Sequence, residues 1–69
     1  MSNFKSVKTL ENWLKQGKAI YLDRLGETMR YTLRANGIWC SMVEYPDTQE
    51  KSIYQKIEDL FKDNPRKYK

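Results

Sequence analysis

The sequence predicts an α+β fold: a small α-β-β-β-α domain, a three-stranded antiparallel meander with both helices packed on one face. Three observations carry this. Apolar residues recur at helical spacing towards each end of the chain, they alternate with period two through the middle, and the alternation is broken by two glycine-containing turns, "RLGE" and "RANGI". The 69 residues make a single domain, 1–69, with room for one core.

Ser6 is placed to cap a first helix over about residues 6–16, where Val7, Leu10 and Leu14 form the apolar stripe, Trp13 flanks it and Gly17 stops it. From Lys18 the period changes to two, giving strands at about 18–24, 28–35 and 38–45. Pro46 ends the sheet. Asp47 with Glu50 three residues on resembles a capping box, and Ile53, Ile57, Leu60 and Phe61 supply the stripe of a second helix at about 48–63. Asn64-Pro65 closes that helix, and residues 65–69 are expected to be a short, mobile basic tail.

Asn36-Gly37 suits the two positive-φ positions of a type I′ turn. That turn sets Ala35 opposite Ile38, Arg34 opposite Trp39 and Leu33 opposite Cys40. Met29, Tyr31, Leu33, Ala35, Ile38, Cys40 and Met42 then share a core face, joined by Ile20 and Leu22. Tyr21, Asp23, Thr28, Arg30, Thr32, Arg34, Trp39, Ser41, Val43 and Tyr45 share the other. A slip by one residue would bury Arg30 and Arg34, at a cost of several kcal/mol.

The chain has no histidine and one cysteine, which removes the usual general base, the usual zinc ligand and any internal disulfide. Cys40 falls on the core face, where a packing thiol is expected rather than a nucleophile. No enzyme, cofactor or metal site is expected. Neither is a membrane span or a signal peptide, so a cytoplasmic protein is expected. A net charge of +4 is compatible with nucleic acid or an acidic protein surface.

The open face mixes arginine, aromatic and hydroxyl side chains, which contact phosphates, stack on bases and form hydrogen bonds. The candidate contact residues are Tyr21, Arg30, Thr32, Arg34, Trp39, Ser41 and Tyr45, with Lys18, Arg66, Lys67 and Lys69 as auxiliary cations. The leading expectation is a DNA- or RNA-binding module with an accessory or regulatory role, of the kind found in phages and mobile elements. The alternative is an inhibitor or adaptor that docks the same face on a protein partner, or a homodimer formed through it. A third reading leaves Arg34 lying over Trp39 as a cross-strand cation–π pair, worth about 0.5–1 kcal/mol, with no partner at all.

The element order is similar to that of double-stranded-RNA-binding domains, but "DTQEKSIY" stands where those carry a basic motif. A three-stranded sheet backed by a helix also resembles the sheet-reading DNA domains of some integrases and plant transcription factors. Arg30, Arg34 and Trp39 suit the reading role that such a resemblance implies.

Overall fold

A computed structural model describes residues 4–67. It is a small α+β fold with two helices and a five-stranded antiparallel sheet. Helix α1 spans Val7–Lys15, and the Ser6 hydroxyl accepts from the Thr9 backbone N–H at 3.3 Å, as an N-cap should. Gly17 follows with φ 82, a conformation that glycine adopts without steric penalty. The meander is β1 (Ile20–Arg24), β2 (Glu27–Arg34) and β3 (Gly37–Met42).

Two segments depart from expectation and enlarge the sheet. Glu50–Lys51, expected within a long helix, forms β4 against β3, and Arg66–Lys67, expected to be a mobile tail, forms β5 against β1. The strand order is β4-β3-β2-β1-β5. Helix α2 is only Ile57–Lys62. The missing half of the expected helix is held by side chains that bond locally and compete with a helical ladder. The Thr48 hydroxyl accepts from Met42 N–H at 3.1 Å and donates to the Tyr45 carbonyl, and the Ser52 hydroxyl accepts from Tyr54 N–H at 3.2 Å. Ile53, expected in the apolar stripe, is therefore 71% exposed, while Tyr54 is buried. The chain leaves α2 through Asn64, at φ 54, and the buried Pro65.

The hairpin turns also differ. Leu25 (φ 51) and Gly26 (φ 80) both hold positive φ between the paired Arg24 and Glu27, so the two-residue type I′ turn is here. At the other hairpin Arg34 pairs with Gly37, Leu33 with Ile38, Thr32 with Trp39 and Tyr31 with Cys40. The loop is thus Ala35-Asn36, neither at positive φ, and Gly37 takes φ 133. Every expected pairing of this hairpin is displaced by two residues. An even displacement leaves the faces unchanged.

The core follows those faces. Ile20, Leu22, Tyr31, Ile38 and Cys40 from the strands cluster with Phe4, Leu10, Leu14, Tyr54 and Leu60, and Met29 and Leu33 pack against the cluster. Ala35, assigned to the core from the shifted register, lies exposed in the loop. Tyr31 and Tyr54 meet edge to face at 5.4 Å, and the Tyr54 hydroxyl donates to Asp63. No helix among the described residues is long and apolar enough to cross a membrane.

Candidate binding face

On the second face of the sheet the register places side chains in rows, because directly paired residues project to the same side. One row runs Ser41, Arg30, Tyr21, Arg66 across β3, β2, β1 and β5. The next runs Lys51, Trp39, Thr32 across β4, β3 and β2. Arg34 pairs with Gly37 at the end of the hairpin, and its guanidinium reaches across to lie 4.5 Å from the Trp39 ring centroid.

Trp39 is held on two sides. Arg34 covers the ring, and the indole N–H donates to the Asn36 side-chain oxygen at 3.0 Å. That bond accounts for a polar side chain at the loop position where a type I′ turn was expected. Tyr21 is held by Arg66, whose guanidinium lies 5.1 Å from the ring and makes a two-pronged ion pair with Asp23 at 2.9 and 3.0 Å. Thr28 also donates to Asp23, at 2.9 Å. Arg66 is thereby fixed by β5, and its charge is largely answered by Asp23.

Of the other expected contacts, Arg30 and Thr32 are half-buried and Tyr45 is 57% exposed. Ser41 needs correction: it is 2% exposed, a small side chain between Trp39 and Val43 on the same strand face and opposite Arg30. It offers a partner nothing. The auxiliary cations divide. Lys18 and Lys67 converge on Trp13, at 4.5 and 5.1 Å from its ring, and Lys67 pairs with Ile20 on the core side of the sheet. Lys69 lies outside the described residues. Lys51, by contrast, joins the face opposite Trp39 and was missed because its segment carried the spacing of a helix.

A groove of about 460 Å³ opens at the other end of this face, lined by Tyr21, Thr28, Val43, Tyr45 and Arg66 and bordered by Glu27 and Glu44. Elsewhere, burial pushes the Cys40 thiol pKa up, with Glu50 nearby acting in the same direction, so the thiolate is disfavoured. Among the described residues no three histidine, cysteine or carboxylate side chains gather as a metal-binding group. No family model, curated protein or solved structure matches this chain.

Proposed function

We propose that this chain is a small non-enzymatic module that binds nucleic acid through the second face of its sheet, with both helices covering the first. The observation that carries the reading is the grouping of Arg30, Arg34 and Lys51 around Trp39 and Tyr21. Cations grouped on one face can contact phosphates, and rings among them offer flat surfaces to bases. A guanidinium already stacked on Trp39 keeps its outward N–H donors for a phosphate, so the cation–π pair orients the contact rather than competing with it. An accessory or regulatory role belongs to the same reading.

The test is a mobility shift with single- and double-stranded DNA and RNA. Binding is expected at 50 mM salt. With three phosphate contacts the affinity should fall by about 20- to 40-fold on going to 200 mM. Arg34→Ala together with Trp39→Ala should weaken binding at least tenfold while leaving the circular dichroism spectrum unchanged. Absence of binding to all four nucleic acids at 50 mM salt overturns the proposal and turns attention to a protein partner on the same face.

A further inference from the structure

The net charge of +4 is not spread evenly along the chain. Residues 1–18 hold four lysines against one carboxylate and residues 65–69 three cations against none, whereas residues 19–64 hold six cations against eight carboxylates. Pairing of β5 with β1 brings the two basic ends together. They meet at Trp13, where the Lys18 and Lys67 ammonium groups lie 4.5 and 5.1 Å from the ring centroid. The ring is fixed: its indole N–H donates to the Ala19 carbonyl at 2.8 Å, and Phe4 packs against it with centroids 6.1 Å apart. Both lysines are exposed, and neither has a carboxylate partner among the described residues. Glu11, the one acid of the first segment, is taken by Lys15 at 3.8 Å. Two ammonium groups so placed lie within about 10 Å of each other, the Debye length at 0.1 M salt, so their repulsion is only partly screened. An anion held between them relieves it.

We infer that Lys18 and Lys67 form a second phosphate contact for a single-stranded nucleic acid, reached from the binding face round the β5 edge of the sheet, an inference that rests on the nucleic-acid reading above. Successive residues of a strand project to opposite sides. Arg66 therefore shares the second face with its partner Tyr21, and Lys67 shares the core side with its partner Ile20. Strand β5 is last in the sheet order and two residues long, so its outer border is a short rim with a cation on each side. Arg66 is held by Asp23, and Lys67 carries positive charge past the rim to Lys18. A flexible single strand turns round such a rim. A duplex, with a persistence length of about 150 base pairs, stays on one side of it. Anionic lipid also offers phosphates, but a surface helix binds a bilayer by inserting apolar side chains, and here Phe4 is 3% exposed and Trp13 half-buried.

Fluorescence anisotropy across a salt series tests this, with six-residue and eighteen-residue thymine DNA strands and the longer strand annealed to its complement. The full chain is compared with Lys18→Gln combined with Lys67→Gln, and with Lys56→Gln combined with Lys62→Gln, a charge-matched control at exposed positions outside the cluster. Each phosphate contact on a single strand steepens the dependence of log affinity on log salt by ~0.7, so between about 50 and 200 mM the unchanged chain should lose about sevenfold more affinity for the long strand than the Lys18/Lys67 variant does. The six-residue strand, which covers the face alone, and the duplex should show no such difference. Lys18→Arg combined with Lys67→Arg should restore the salt dependence, whereas lost packing against Trp13 would shift affinity alike at every salt concentration. Equal salt dependence in the unchanged chain and the glutamine variant overturns the second contact and leaves the nucleic-acid reading standing. So does an equal effect of the control pair, or arginines that fail to restore the slope. An equal effect on the six-residue strand or the duplex overturns the path round β5. Lysine-dependent binding of phosphatidylserine vesicles, without lysine dependence on the long strand, also overturns it and reassigns the cluster to lipid. No binding to any strand overturns both readings.

Discussion

Leu25 holds a left-handed backbone conformation at φ 51 with its side chain wholly in solvent. A leucine there sets Cβ against the following carbonyl, at about 1–2 kcal/mol, and regains nothing by burial. Leu25→Asn is expected to stabilise the fold by about 0.5–1 kcal/mol, since asparagine tolerates this region and Asn-Gly is the preferred pair for such a turn. Urea denaturation measures it; an unchanged or lowered midpoint would mean that the leucine makes a contact in the folded protein. The asparagine-glycine pair that the chain does contain is used otherwise, with Asn36 accepting the Trp39 indole N–H. Residue identity alone therefore pointed to the wrong hairpin for the type I′ turn. A side-chain bond between Asn36 and Trp39 is invisible to turn propensities.

Strand β5 is two residues long and is tied to the sheet by the buried Pro65, by pairing with Ile20 and Tyr21, and by the Arg66–Asp23 ion pair. Arg66→Ala is expected to speed amide hydrogen exchange several-fold at residues 20–21 and 66–67, leaving the β2–β3 hairpin unaffected. That scale follows from the modest worth of a solvent-exposed ion pair, about 0.2–1 kcal/mol. Unchanged exchange would assign the anchoring to Pro65 and the backbone alone. The three central strands and α1 were legible because alternation and capping are written over consecutive residues. The two edge strands were not, since two residues are too few to show a period. In 48–56 the helical spacing of Ile53 and Ile57 outweighed the threonine and serine that actually set the backbone. Which side chains share the second face of the sheet was legible for a related reason: an error of two residues in register preserves which side chains point outward. Burial of Ser41 was not legible, because it depends on the size of its neighbours.

Across the whole molecule, the core is built on an aromatic pair whose hydroxyl chemistry ties stability to pH. Burial and the hydrogen-bonded Asp63 carboxylate push the Tyr54 pKa well above the ordinary tyrosine value, and burial pushes Tyr31 and Cys40 upward too. A folded-state pKa raised above the unfolded one gives stability that is fully present below the unfolded pKa and is lost as pH rises. Stability should therefore decline from about pH 8.5, where an unfolded thiol ionises, and more steeply above about pH 10, where unfolded tyrosines do. Tyr54→Phe is expected to cost about 1 kcal/mol at pH 7 through the lost hydrogen bond and to flatten the alkaline decline. Urea midpoints at pH 7 and 10.5 for both proteins check this; an equally steep decline in the variant would move the effect to Tyr31 and Cys40.

The outer border of β3 is closed along most of its length. Met42 N–H bonds to Thr48, Trp39 and Cys40 pair with β4, and the Ile38 carbonyl accepts from Ser52 N–H at 2.9 Å. The segment that folds back here seals the margin against a visiting strand, which would find charged Glu50 and Lys51 and few free amides. Recognition on that side is left to side chains alone, and copies of the chain that meet there while folding are denied the backbone zipper from which sheet proteins aggregate.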